Sequence, residues 1–186
     1  MIRLFPRLLL LLILLGTLPF AVTGCEDVFI RLTPAHEGMD DRLKPYLFDF
    51  LQQVTPEQKE IIGQYRMSMG FEDLPGSIAG VCVGFSPGHR EIGIDNSTWE
   101  KATELERKAL MFHEIAHCLC NRKHNHSKGK YNNDTDEEDK VERTAKNGYF
   151  EDGCATSMMH PRMQPDWCVY AHYDHYFAEI FEKCDP

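Results

Sequence analysis

His113-Glu114-Ile115-Ala116-His117 is the stretch that decides the fold. On a helix, its two histidines project from one face, four residues apart, and both imidazoles can reach one metal ion. The glutamate between them faces the remaining coordination position, where a carboxylate can take a proton from a water molecule. A site that only staples a chain together has no use for that carboxylate. The flanking residues supply the helix. Ser97-Thr98-Trp99-Glu100 has the form of a capping box, with the serine as N-cap and the glutamate reaching back. From there Ala102, Leu105, Ala109, Phe112, Ala116 and Leu119 step by three and four, which predicts one continuous helix with a buried stripe. His113 and His117 each follow a stripe residue by one, about 100° round the axis. One face of the helix is therefore expected in the core and the adjoining face on a cleft.

Working outward, Leu43, Leu47, Phe50, Leu51 and Val54 form a helical stripe, with Pro45 tolerable only in the first turn. Thr55-Pro56-Glu57-Gln58 reads as a second helix start, with threonine as N-cap. Tyr65, Met67, Met69 and Phe71 alternate as a strand. Ala79, Val81, Val83 and Phe85 alternate too, as do Ile92 and Ile94 after Pro87-Gly88, so 78–95 is expected to be a hairpin. Residues 121–153 are polar and predict a long surface loop, with a short helix near 137–146. Ser157-Met158-Met159-His160-Pro161 interrupts the polar character. Tyr173, Tyr176, Phe177, Ile180, Phe181 and Cys184 then mark the apolar face of a C-terminal helix. The expected class is α+β, with a small twisted sheet.

Two histidines leave a catalytic zinc one protein ligand short, because such sites hold three ligands and a water. His124, seven residues after His117, is the candidate third. The string His113-Glu114-Ile115-Ala116-His117-Cys118-Leu119-Cys120-Asn121-Arg122-Lys123-His124 resembles the metzincin zinc peptidases. Their motif continues from the second histidine to a turn glycine and a third histidine. Ser157-Met158-Met159-His160-Pro161 looks like their Met-turn, with Met159 in the position beneath the metal and His160 and Pro161 beside the pocket. The resemblance covers roughly 78–184 and is similar in kind to the bacterial lipoprotein relatives of matrixin-type peptidases. It implies a zincin fold with an active-site helix, a Met-turn and a C-terminal helix. It also implies Zn2+ held by His113, His117 and His124, with Glu114 as general base acting on a peptide or protein substrate.

Two departures stand out. Cys120 falls where the family has its turn glycine, and Lys123 displaces the third histidine by one residue. Glycine suits that place because the chain leaves the helix with positive φ, which cysteine tolerates poorly; the extra residue is expected to widen the turn. His126 and Cys120 are rival donors, with Cys120 expected in a disulfide. A gluzincin-type arrangement would take Glu137 as third ligand, but it leaves His124 and the Met-turn unexplained. Asp134, Asp136 and Asp139 could hold calcium, without forming a full calcium-loop pattern. A non-catalytic zinc-binding envelope lipoprotein is the competing class, and Glu114 argues against it.

The N-terminus reads as targeting. Arg3 and Arg7 flank an apolar run from Leu8 to Leu15, short of the about 20 residues a membrane-spanning helix needs. Val22-Thr23-Gly24-Cys25 resembles the lipobox of bacterial lipoproteins, which implies cleavage before Cys25 and lipid on its sulfur. The expected division is a signal peptide over 1–24, a tether over 25–40 and a zinc metallopeptidase domain over 41–186. The expected location is a bacterial cell envelope, outside the cytoplasm and lipid-anchored to a membrane. Without 1–24, the loss of Arg3 and Arg7 takes 20 basic residues to 18 against 29 acids, a net charge of −11. That balance argues against a nucleic-acid partner, since binding phosphates needs a basic surface.

Six cysteines remain beyond Cys25, an even number that suggests disulfides in an exported chain. Cys118 and Cys120 lie two apart on a helix and point away from each other. Cys168 and Cys184 bracket a predicted helix roughly 20 Å long. Neither pair meets the limit of about 7 Å between Cα atoms. Cys118–Cys154 is the expected bridge, because it would tie the active helix to the Met-turn.

Overall fold

The computed structural model describes residues 35–85, 88–125 and 148–186. The expected signal peptide, Cys25, His126, Asp134, Asp136, Glu137, Asp139 and the short helix expected near 137–146 lie outside the described residues. Helix α1 (Lys44–Gln53) carries Pro45 in its first turn and buries Leu47 and Phe50. Helix α2 (Pro56–Ile62) starts at the expected capping box: the Gln58 N–H donates to the Thr55 hydroxyl, and the Thr55 N–H donates to the Gln58 side chain.

Three strands follow, β1 (Arg66–Glu72), β2 (Gly80–Phe85) and β3 (His89–Asp95), in the order β1-β3-β2. The expected hairpin is β2–β3, antiparallel, while β1 runs parallel to β3 on its other side. The pairing puts Met69, Ile92 and Cys82 in one row and Phe71, Ile94 and Gly80 in the next. With a side-chain period of two, both rows lie on the same face. Met69, Ile92 and Ile94 on that face are buried in the core. Residues before Asp41 already belong to this sheet edge. Met39 bridges Met69, the Asp40 N–H donates to the Met69 carbonyl at 2.9 Å, and the Met69 N–H donates to the Gly38 carbonyl at 2.8 Å. The tether expected over 25–40 thus joins the domain before its end.

The single helix expected from Ser97 to Leu119 is two: α3 (Asn96–Lys101) and α4 (Glu104–Leu119). Asp95, not Ser97, caps the first. Its carboxylate accepts from the Thr98 N–H and from the Ser97 and Thr98 hydroxyls, each at 2.8 Å. Ala102 turns extended with ψ 142°, and Thr103 and Glu106 then form a second capping box. Two good starts in series end the first helix where the second begins, because each cap demands an extended residue. The stripe survives the break, since Ala109, Phe112, Ala116 and Leu119 are buried along α4. The C-terminal helix is likewise divided at His172 into α5 (Asp166–Ala171) and α6 (Tyr173–Glu182).

Helix α4 lies against β2 and β3 on one side and α1 and α5 on the others. Phe112 is the hub, with its ring 5.3 Å from Phe50 and 4.9 Å from Phe177, both edge to face. Such pairs contribute about 0.5–1.5 kcal/mol each beyond their burial. Three disulfides join the helices to their surroundings: Cys82–Cys118, Cys120–Cys184 and Cys154–Cys168. Cys118 and Cys120 do diverge, and Cys168 does not pair with Cys184. The expected Cys118–Cys154 bridge does not form. Cys118 faces the sheet, where Cys82 occupies the row beside it, while Cys154 closes a local loop with Cys168. No helix of the described residues is long and apolar enough to cross a membrane.

Candidate metal centre

The helical spacing of His113 and His117 does what the sequence predicts. Their Nε2 atoms lie 2.9 Å apart, and the Nε2 of His124 lies 3.2 Å from that of His113. The His117 and His124 rings are 4.7 Å apart between centroids. The other nitrogens explain why these three face one another. The Nδ1–H of His113 donates to the Met158 carbonyl at 2.8 Å, and that of His117 to the Arg122 carbonyl at 2.6 Å. A carbonyl can only accept, so each Nδ1 carries the proton and each Nε2 keeps its lone pair. Lone pairs brought this close repel unless a cation lies between them. Four ligands at about 2.0–2.1 Å from zinc stand about 3.3 Å apart at tetrahedral angles. The donor set fits a metal ion by atom type, tautomer and spacing.

The electrostatics agree. Burial, then the neighbouring His117 and His124, push His113 well below the ordinary 6.5. Burial and His124 push His117 down to about 4. Both rings are thus held neutral across the physiological range, as ligands must be.

Glu114 is 5% exposed, and its position comes from a strand residue without a side chain. A methyl group on Gly80 would lie 2.7 Å from both Cγ and Oε1 of Glu114 and 2.8 Å from Cδ. Carbon contacts settle at about 3.5–4.0 Å, so only glycine leaves room. Cys82 and Cys118 repeat the same contact one step further along. Two strand residues rise about 6.7 Å and four helical residues about 6 Å, so the disulfide locks the register that sets Glu114 over Gly80.

The departure at the third histidine resolves in the turn. Cys120 ends α4 at φ −111°, and Asn121 takes the left-handed conformation at φ 50°. Asparagine tolerates that region better than most residues. The Arg122 N–H then reaches back to the Ala116 carbonyl at 3.1 Å, a loop one residue longer than the 6→1 link of a Schellman cap. The widened turn carries the chain to His124. Cys120, a rival donor by sequence, is bound to Cys184.

Met159 is fully buried, and its carbonyl accepts from the Asn125 N–H at 2.8 Å, which ties the residue after His124 to the Met158-Met159 turn. His160 is buried, with Nδ1 accepting from the Arg162 N–H at 3.2 Å and Nε2 lying 3.3 Å from the Tyr149 hydroxyl. Pro161 is half-buried. His172 lies 2.7 Å from Asp152, and Cys154 is nearby, but its sulfur is in a disulfide and is no thiolate donor.

Sequence reasoning missed Gly80, Arg122 and Glu179. Gly80 reads as an ordinary strand glycine until its row is known. Arg122 passes for a polar loop residue. Glu179 left one trace, a lone acid three residues after Tyr176 and next to Ile180 on the buried side of its helix.

A family model described as a putative phage metallopeptidase matches residues 25–145, which take in α4, Glu114 and all three histidines. No curated protein and no solved structure gives a match.

Proposed function

This chain belongs to the putative phage metallopeptidase family, and from that premise we propose a zinc-dependent endopeptidase of metzincin type. Membership makes it a metal-dependent peptidase; the convergence of three Nε2 atoms supports the finer reading. His113, His117 and His124 would hold the ion. Zinc there would supply a Lewis acid for the scissile carbonyl and lower the pKa of its water towards about 7. Glu114 takes a proton from the attacking water as its oxygen adds to the carbonyl carbon. The same carboxyl group passes that proton to the amine nitrogen as the C–N bond breaks. Neutral Nδ1–H groups on His113 and His117, each held by a carbonyl, keep the imidazoles oriented throughout. Pro161, half-buried, is the member of the His160-Pro161 pair with surface to offer a substrate side chain. The closeness of His124 favours this arrangement over the gluzincin one, whose Glu137 lies outside the described residues.

The envelope location belongs to the same proposal. It rests on the lipobox-like stretch Val22-Thr23-Gly24-Cys25 alone. In the mature form the peptidase would be anchored by lipid on Cys25 and act on protein outside the cytoplasm of a bacterium. Cys25→Ser is expected to move the protein from the membrane fraction to the soluble one; a variant still sedimenting with membranes rejects the anchor.

The catalytic test pairs metal analysis with a peptide-library digest. Glu114→Ala is expected to keep one zinc per chain while losing at least about 100-fold in turnover. Unchanged turnover in that variant discards the base. Zinc bound by the wild type without cleavage of any peptide returns the non-catalytic zinc-binding lipoprotein.

A further inference from the structure

We propose that Glu179 is a positioning residue for the metal centre, orienting His113 and His117 through two main-chain carbonyls that it does not itself touch. The inference rests on the three-histidine reading above. Glu179 is 6% exposed on α6, and its carboxylate is shared between two turns. Oε1 accepts from Arg122 Nη2 and, at 3.2 Å, from Lys183 Nζ. Oε2 accepts from the Ser157 hydroxyl at 3.1 Å. Each turn supplies one of the carbonyls that fix a histidine tautomer. Arg122 itself carries the carbonyl that receives His117. Ser157 accepts the Met159 N–H at 3.1 Å, and the residue between them, Met158, carries the carbonyl that receives His113. One carboxylate on a third element therefore sets both.

The guanidinium end is fixed as firmly. Arg122 Nη1 donates to the carbonyls of Glu179 and Ile180 at 2.9 and 3.2 Å. Those carbonyls lie in the last turn of α6, where no helical N–H remains to satisfy them. Arg122 thus satisfies a helix end and a buried acid together, and its own backbone is pulled into register beneath His117. Burying this ion pair costs desolvation that an apolar trio would avoid, so stability alone is a weak reason for it. The Cys120–Cys184 bridge already ties the same turn to the chain after α6. What the disulfide does not do is orient the Arg122 and Met158 carbonyls. Groups behind metal-bound histidines fix ring orientation and raise ligand basicity, and their loss typically costs 10–100-fold in metal affinity.

Three variants of the full chain test this: Glu179→Gln, Arg122→Lys and Ser157→Ala, titrated with zinc and with cobalt(II) as the spectroscopic probe. Expected are a zinc affinity lowered about 10–100-fold in Glu179→Gln and an altered cobalt visible spectrum. Arg122→Lys, which loses the fork but keeps the charge, should behave similarly, and Ser157→Ala should show a smaller shift in the same direction. Folded variants with wild-type zinc affinity and an unchanged cobalt spectrum would overturn the proposal, whatever happens to their melting temperature. Should Glu179→Gln fail to fold, the other two variants decide by the same readouts. Absence of zinc binding in the wild type would refute the three-histidine reading itself. Zinc binding and cleavage in the wild type with indifferent variants refutes only the role of Glu179.

Discussion

At the residue scale, Gly80 and Glu114 form the most informative pair, since one side chain occupies the space the other residue lacks. A Cβ at position 80 meets the Glu114 carboxyl group at 2.7 Å and must displace it. A shift of about 1 Å in a reacting group can cost about 100-fold in rate. Gly80→Ala is therefore expected to lower kcat by about that factor while zinc stoichiometry stays at one per chain. Steady-state kinetics beside metal analysis measures both; a kcat within threefold of wild type would show that the carboxylate has room to spare. Asn121 makes the complementary point about the backbone. The helix still ends through a left-handed residue, but the role moves from position 120 to 121, where the sequence offers a residue that accepts φ 50°.

At the element scale, α4 is held on β2 by a covalent contact four residues beyond Glu114. Replacing Cys82 and Cys118 by alanine opens a closed loop with a sequence separation of 36. The chain-entropy estimate for a loop of that size is about 3–4 kcal/mol. The expected result is a lower denaturant midpoint by that amount of stability, together with a fall in turnover as the helix gains freedom to slide. A destabilised double variant with full turnover would show that packing alone holds the register. The helix breaks at Ala102 and His172 belong to this scale too. Both interrupt stripes that remain buried on either side, so periodicity reads through them. Thr103-Glu104-Leu105-Glu106 carries the signal for the first break, and it is masked by the stronger-looking capping box upstream.

At the scale of the whole molecule, the histidine cluster couples folding to pH. Burial and the neighbouring His124 push His117 down to about 4 in the folded protein, against the ordinary 6.5 of an unfolded chain. Between those values the unfolded chain binds more protons, so stability rises with pH across this window. Chelator-treated protein is expected to lose stability as pH falls from about 6.5 to about 4, on top of any loss from carboxylates below. On the proposed three-histidine site, adding zinc at pH 7 should raise the melting temperature, because an ion that binds only the folded state stabilises it. Thermal scans of chelated and zinc-loaded protein at several pH values provide the check. A flat profile for the chelated form between pH 4 and 6.5 would mean that the rings are not held neutral.

Several parts of the fold were legible from local chemistry alone. The hairpin, the capped start of α2, the stripe along α4 and the convergence of two histidines follow from periods of two and 3.6 and from caps of a few residues, which need no knowledge of distant chain. The third histidine was also within reach, since it lies seven residues from the second. Tertiary structure decided what depends on residues far apart. The partners of Cys118 and Cys120, the glycine opposite Glu114 and the carboxylate behind Arg122 lie 36, 64, 34 and 57 positions away. Such contacts depend on which faces are brought together by packing. A sequence pattern records the faces but not their partners, and that is why the three clustered histidines were readable while the groups packed behind them were not.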